Sequence, residues 1–496
     1  MFKKFTQTKI GFLLLLLHTY FLTIPQKSLA ESPKIFPDQP TFTPIEKKQD
    51  KICLAELQTK INTIVTQPKF LNARWGIAVQ TLAPNITLYS RDYKKYFIPA
   101  SNLKLLTSAA ILHKLGGDFK IRTSIYGNEK NLRLVGRGDP SFNTAQLVNL
   151  VQQLKQKGYT KIDTLTVDDS YYKGEQLNLN WSWEDIFFYY GAPINSLILN
   201  ENTAVLTITP QKVGEPLIIG LDENAKGLQI KNESLTSAKD GLNNVDYKYD
   251  FGSPILTVRG QLPVDAKPVI QGVAIPDPVG NFIKQLKEIL AQEGISVKEE
   301  IKASDRPLEN EKEIAFVESP PLAEMIATMN LYSNNVYAES FLRTLGVDRK
   351  QFKTTAESGL NEMKNVLKEI GVNPDNYQLD DGSGLSRLNL INVEAIMQTL
   401  KGISQTKGGE IYKKSLPVAG VSGTLKNRFK NTKAQGIVYA KTGTLTGASA
   451  LSGYIDVPGY QTIIFSIIVN QSDQTVPEIR KAIDEIVLLL VQLQKC

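Results

Sequence analysis

Histidine and cysteine are scarce in this chain: its 496 residues carry only His18, His113, Cys53 and Cys496. His18 lies in a leader-like start. There Lys3, Lys4 and Lys9 precede an apolar stretch from Ile10 to Ile24, followed by Ser28-Leu29-Ala30 and then Glu31. That layout is expected to be a secretory signal over residues 1–30, cleaved before Glu31, because about 15 apolar residues are short for a span while small residues suit a signal peptidase. A retained anchor is the alternative. No cysteine follows Ala30, so a lipoprotein is not expected. With His18 removed, three Cys and His side chains remain, one short of a structural zinc centre of such ligands, so no metal and no cofactor is expected. A long basic run is also missing. The leader holds four of the 57 basic residues and no acids, leaving 53 against 50 acidic, or +3, with charges mixed along the chain. Nucleic acid is therefore not an expected partner. No internal repeat or low-complexity tract is present.

What the chain does have is Pro99-Ala100-Ser101-Asn102-Leu103-Lys104, followed by apolar residues at helical spacing: Leu105, Leu106, Ala109, Ala110, Ile111 and Leu112. This predicts a buried helix with chemistry at its start. Ser101 and Lys104 would share one face. A serine hydroxyl is a weak nucleophile near neutral pH, and a lysine three positions on can act as its base if burial or cationic neighbours lower the amine's pKa. Ser-x-x-Lys alone means little, since it arises by chance in most long chains. His113 is no rival base for Ser101: it stands 12 positions further on, roughly 18 Å along a continuous helix. A Ser-His-Asp arrangement on another serine stays open, although no Gly-x-Ser-x-Gly elbow accompanies it.

Downstream lie Ser333-Asn334-Asn335 and Lys441-Thr442-Gly443, which with Ser101-x-x-Lys104 complete the three-part signature of penicillin-binding proteins and serine β-lactamases. Longer stretches narrow the resemblance: Asn330 to Glu339, Asp381-Gly-Ser-Gly-Leu-Ser-Arg387, Gly420 to Arg428, and Lys441 to Gly447. From about Leu57 to about Asn470 the chain resembles the D-alanyl-D-alanine carboxypeptidase/endopeptidase family, the class C low-molecular-mass penicillin-binding proteins. The resemblance implies a serine peptidase that acts on peptidoglycan stem peptides and cross-links in the periplasm and is acylated by β-lactams. In that reading Ser101 attacks, Lys104 takes its proton, Ser333 relays a proton to the leaving nitrogen, and Asn335 holds the substrate amide. Lys441 keeps Lys104 in its basic form by like-charge proximity, and with Thr442 and Thr444 binds the terminal carboxylate. The oxyanion hole would be the N–H groups of Ser101 and Thr444, and Gly443 would let the strand approach the substrate. Tyr332-Ser333-Asn334 also spells the Tyr-x-Asn motif of class C β-lactamases and some esterases. A β-lactamase or esterase, and a catalytically silent wall-binding scaffold, are the competing functions.

Trp181-Ser-Trp-Glu-Asp185, with Tyr190 and Arg387, resembles the stretch by which family members place an acid and an aromatic at the cleft mouth. Asp185 would meet the ammonium and Arg387 the carboxylate of a diamino-acid side chain. An aromatic core with a solvated acid is the plainer alternative. Asp139, Ser383 and Arg428 are expected to be turn and scaffold residues.

The expected fold class is α+β, a penicillin-binding/β-lactamase-like transpeptidase domain: an antiparallel sheet covered by helices from both chain ends, with a large inserted α/β plus mainly-β region. Residues 31–48 are a proline-rich linker, 49–125 and 316–496 a discontinuous catalytic domain, and 126–315 the insertion. The insertion would hold two nested parts, 126–195 with 260–315, and 196–259. Helices are expected over 50–67, 145–157, 282–291, 322–329 and 393–400, from about Ser340 and Asn361, and over 477–494. Strands are expected over 75–80, 86–90, 131–137, 164–167, 203–208, 216–219, 228–230, 255–258, 296–301, 437–441, 451–457 and, centrally, 463–469. If the first and last helices pack antiparallel, Cys53 and Cys496 meet, and an exported chain favours a disulfide between them. A buried Cys53 with a frayed, free Cys496 is the alternative. Oligomeric state is not legible.

Overall fold

Thr462–Asn470 explains the centre of the molecule. Ile463, Phe465, Ile467 and Val469 alternate with Ile464, Ser466 and Ile468, so both faces of this strand are largely apolar and both must be covered. In the computed structural model, which describes residues 51–496 apart from 129, 227, 250–252, 254 and 348–352, it is the middle strand of a five-stranded antiparallel sheet. The order is Val438–Leu445, Ala448–Asp456, Thr462–Asn470, Arg74–Thr81, Thr87–Arg91. The odd-numbered apolar residues of the central strand join the core under the terminal helices. Ile464 and Ile468 join the other core, built on the helix that follows Ser101. The expected leader and linker lie outside the described residues.

The terminal helices, Leu54–Val65 and Val476–Leu490, each turn one stripe to the sheet. Leu57, Ile61 and Val65 recur at four-residue spacing and are buried, each contributing about 1.5–3 kcal/mol relative to exposure. Beyond the helices the chain ends meet: Ile52 N–H donates to Gln492 O at 2.9 Å, and Cys53 is disulfide-bonded to Cys496 with Cα atoms 5.8 Å apart.

Residues between the two parts of this sheet build further sheets with their own cores. One is five-stranded: Lys302–Ala303, Thr164–Asp168, Asn131–Val135, Arg122–Asn128, Lys312–Glu318, covered by the helices Thr144–Gln156 and Pro278–Gln292. Two three-stranded sheets share a second core. One holds Gln229–Ser237, Ile255–Pro263 and Asp246–Tyr249, the other Val269–Ala274, Thr203–Thr209 and Ile218–Leu221.

Several boundaries differ from expectation for local reasons. The helices expected from Ser340 and Asn361 run Asn335–Gly346 and Thr355–Glu369, because the Asn334 and Thr354 side chains cap them, accepting from Tyr337 N–H and Glu357 N–H. The strand expected over 296–301 forms only as the two-residue pieces Ser296–Val297 and Lys302–Ala303. Among the described strands of four residues or more, four were not expected: Arg122–Asn128, Asp246–Tyr249, Val269–Ala274 and Lys312–Glu318.

Candidate active site

Ser101 sits in a single 3₁₀ turn, Ala100–Leu103, that runs directly into the helix Lys104–Leu115. The turn is pinned from below, where Asn102 Nδ2 donates to Ser452 Oγ at 2.7 Å, and Ser452 pairs with Ser466 on the central strand at 2.8 Å. Ser333 ends the helix Leu322–Tyr332 in left-handed conformation, φ +58°, so the chain reverses between Ser333 and the helix begun by Asn335. This reversal brings Asn335 to Lys104 and Ser333 to Lys441.

Lys104 is the hub of the site. Its side chain is 0% exposed, and Nζ lies 2.6 Å from Asn335 Oδ1, 2.7 Å from Ser383 O and 3.2 Å from Ser101 Oγ. Burial pushes its pKa down to about 7, against the opposing pull of the Asp381 and Glu339 carboxylates. In the neutral amine two N–H bonds satisfy the two carbonyl oxygens, and the lone pair is left facing the serine hydroxyl. That is the geometry of a base.

Lys441, also 0% exposed, donates to Ser333 Oγ at 2.8 Å and to Thr442 O at 3.0 Å. Burial, then the neighbouring Lys104 amine, holds it well below an ordinary lysine. Burial is the leading cause for both amines, and the like charge of the neighbouring amine adds to it at Lys441.

The strand Val438–Leu445 is the edge of its sheet. Ala419 N–H donates to Val438 O and Ala440 N–H to Pro417 O, so even-numbered residues turn their backbone polar groups away from the sheet. By the alternation of an antiparallel edge strand, the N–H groups of Thr442 and Thr444 point the same way, past the end of the 417–419 segment. A side chain at Gly443 would meet Pro99 O at 2.8 Å and Asn102 N at 3.2 Å. The glycine is therefore required by the close approach of the Ser101 turn.

The 181–190 segment reaches this site from the inserted sequence. Asn335 Nδ2 donates to Tyr190 O at 2.7 Å, Tyr190 OH donates to Asp185 Oδ1 at 3.2 Å, and Arg387 Nη2 donates to Thr446 O at 3.0 Å. Burial raises the half-buried Asp185 carboxyl, while the Tyr190 hydroxyl and the Arg387 charge draw it down, so these residues share one neighbourhood. Trp181 is buried with Nε1 on Asp381 Oδ2 at 3.0 Å, an anchor beneath that segment.

In the competing Tyr-x-Asn register, Tyr332 is 71% exposed and Asn334 caps a helix while donating to Glu201 at 2.7 Å. Neither residue is hydrogen-bonded to Lys104 or Lys441, whereas Ser333 and Asn335 are. Asp139 accepts from Ser141 in a turn, and Arg428 is ion-paired with Asp484 of the last helix, as scaffold residues do.

Sequence reasoning gave no role to several residues that shape the site. Glu339 Oε1 accepts from Gly382 N–H at 2.9 Å and Ser383 N–H at 2.8 Å, and Arg343 lies 3.3 Å from Oε2. Burial and the adjacent Asp381 raise Glu339 to about 7. Asp381 accepts from Gly384 and Ser386 N–H, both at 2.7 Å, from Asn389 Nδ2 at 2.8 Å and from Trp181. Together the two carboxyls fix the loop that presents Ser383 O to Lys104. Thr424 and Arg480 also reach the cleft and are taken up below.

Among the described residues, no group of three or more His, Cys, Asp or Glu is arranged to hold a metal, and no helix is long and apolar enough to cross a membrane.

The geometry has its counterpart in known proteins. Residues 57–489 match the model of the D-Ala-D-Ala carboxypeptidase 3 (S13) family. The chain is similar to the D-alanyl-D-alanine carboxypeptidase of Actinomadura sp., 31% identical over 84% of this chain and 81% of that protein. It is also similar to penicillin-sensitive carboxypeptidase A of Dictyostelium discoideum, 30% identical over 84% of this chain and 87% of that one. The fold is shared with penicillin-binding protein 4 of Haemophilus influenzae, at 22% identity and a TM-score of 0.76, over 88% of this chain and 98% of that one. Matches of this length and identity place the chain in the D-Ala-D-Ala carboxypeptidase 3 (S13) family of serine-type carboxypeptidases.

Proposed function

We propose that this protein hydrolyses the terminal D-Ala-D-Ala bond of peptidoglycan stem peptides through an acyl-enzyme on Ser101, and cleaves D,D cross-links by the same chemistry. Ser101 Oγ attacks the peptide carbonyl as Lys104 Nζ takes its proton, and the N–H groups of Ser101 and Thr444 receive the oxyanion. Ser333, bridged to Lys441, passes a proton to the departing nitrogen, and Asn335 holds the substrate amide. Water then releases the acyl group. In a cross-link the leaving amine belongs to a neighbouring stem, so only the width of the cleft separates the two reactions. β-Lactams enter the same path as cyclic amides.

The observation that carries this reading is the buried Lys104 amine, its two carbonyl partners in place and Ser101 Oγ 3.2 Å away. Asp185, Tyr190 and Arg387 form the pocket for a zwitterionic diamino-acid side chain. The division into a catalytic part, 49–125 with 316–496, and an insertion, 126–315, belongs to the same proposal; separate hydrophobic clusters support it, with Ile125 and Val317 packing on the insertion's side of those bounds. An extracytoplasmic location, with the leader removed, suits a peptidoglycan substrate.

The test is incubation with an N-acylated stem peptide ending in D-Ala-D-Ala and with cross-linked muropeptide dimers, with products identified by mass. Release of D-alanine and of monomers is expected, with benzylpenicillin held as a slowly released adduct. Rapid turnover of benzylpenicillin without D-alanine release would instead make this a β-lactamase.

A further inference from the structure

We propose that Arg480, on the C-terminal helix, together with Thr424 supplies the charge and hydroxyl support that recognise the substrate's terminal carboxylate, a charge that Lys441 is too deeply buried to present. The inference rests on the carboxypeptidase reading above, since only a substrate ending in a free carboxylate calls for such a site.

Lys441 and Gly443 lie on one face of the edge strand, against the Ser101 turn, while Thr442 and Thr444 alternate onto the other. On that second face each threonine hydroxyl has a partner from a distant part of the chain. Thr442 Oγ1 lies 2.8 Å from Thr424 Oγ1, and Thr444 Oγ1 accepts from Arg480 Nη2 at 3.0 Å. A hydroxyl carries one hydrogen and two acceptor pairs, so Thr444, having accepted from Arg480, keeps its hydrogen to give to an anion. The Thr424–Thr442 pair likewise has two hydrogens and needs only one for itself.

Lys441 meets none of the requirements of an anion site. It is 0% exposed, and its amine is engaged by Ser333 Oγ and Thr442 O. Burial and the neighbouring Lys104 amine both disfavour its charged form. Arg428, the other nearby cation, is held by Asp484. Arg480 is an exposed guanidinium at the end of the cleft marked by the two threonines, and guanidinium stays charged at any working pH. It also explains Gly420 to Arg428, a stretch without a part in the bond-breaking chemistry: Thr424 supplies a hydroxyl, and Arg428 occupies Asp484 beside Arg480. Arg480 is in this sense a specificity residue and no part of proton transfer.

The experiment compares an N-acylated peptide ending in D-Ala-D-Ala with the same peptide carrying a C-terminal carboxamide, in the full exported chain and in Arg480→Gln and Arg480→Lys. For Arg480→Gln the preference for the free acid should fall about tenfold, mostly in KM, with amide cleavage and melting temperature unchanged. Arg480→Lys should recover part of the preference. An unchanged acid-to-amide ratio in Arg480→Gln, or an equal loss on both peptides, would overturn the proposal. Failure of the unaltered protein to release D-alanine from either peptide would overturn the carboxypeptidase reading itself, and this inference with it.

Discussion

The five-stranded sheet with its helices and the inserted 126–315 sequence both bury charge, but they direct it differently: in the insertion Arg133 is paired with the insertion's own Asp168 and Glu311. Around the sheet, Lys104, Lys441, Glu339, Asp381, Asn102 and Ser452 are buried, and each is held by named partners at the site or beneath it. In the insertion, strands such as Gln229–Ser237 leave much of one face to solvent. Its contacts with the site come through short stretches: Asn178 and Asn180 on Asp380, Trp181 on Asp381, Tyr190 on Asn335 and Glu201 on Asn334. Buried charge is costly unless every partner is present, so each region is committed to its own internal geometry, and only the first commits its buried charge to the reacting groups. Bond breaking belongs to the first region and recognition is shared with the second.

The largest effects should therefore come from the first region. Ser101→Ala should abolish covalent penicillin labelling with the melting temperature nearly unchanged, and Lys104→Ala should reduce acylation by about a thousandfold and also lower the melting temperature, because Asn335 Oδ1 and Ser383 O lose their donor. Intact-mass measurement after benzylpenicillin checks this, and a persistent adduct in Ser101→Ala sinks the assignment. Next is the link between the chain ends. Cys53→Ser should lower stability by about 2–4 kcal/mol in denaturant titrations and leave D-alanine release unchanged, because the bridge joins the chain ends beyond the terminal helices, which share a different core from the helix that follows Ser101.

Asp185 of the insertion, together with Arg387 near it from the first region, is expected to act on specificity alone. Asp185→Ala and Arg387→Ala should each weaken cleavage of stems with a free diamino-acid side chain by about tenfold, the scale of one charge-assisted hydrogen bond. A simple acetylated tripeptide should be affected much less. Equal losses on both substrates would erase the division between the regions.

What could be read in advance follows the same division. The apolar run Ile463 to Val469 announced a doubly covered strand, and spacing of apolar residues placed both terminal helices and so the meeting of Cys53 with Cys496. Short motifs placed Ser101, Lys104, Ser333, Asn335 and Lys441. Arg122–Asn128 escaped notice because its buried residues include Thr123 and Ser124, and Lys312–Glu318 because only Ala315 is buried, so neither shows the alternation of a half-buried strand. Glu339 and Arg480 reach the cleft only through packing of helices distant in sequence, which no local pattern encodes.

The smallest expected effect concerns tuning. The Glu339 carboxylate raises the basicity of Lys104, so Glu339→Gln should let the Lys104 pKa fall further and move the acidic limb of acylation to lower pH. A limb that moves to higher pH would mean that loosening of the Ser383 loop outweighs the lost charge.

The most direct test is the rate of Ser101 acylation by benzylpenicillin, followed by intact mass from pH 5 to pH 9. Lys104 must be neutral to accept the serine proton, and its pKa is lowered to about 7, so the rate should fall as pH drops through that value and level off above it. A rate that is flat across the range, or one that rises only near the pKa of an ordinary lysine, would contradict the assignment of a buried, neutral Lys104 as the base.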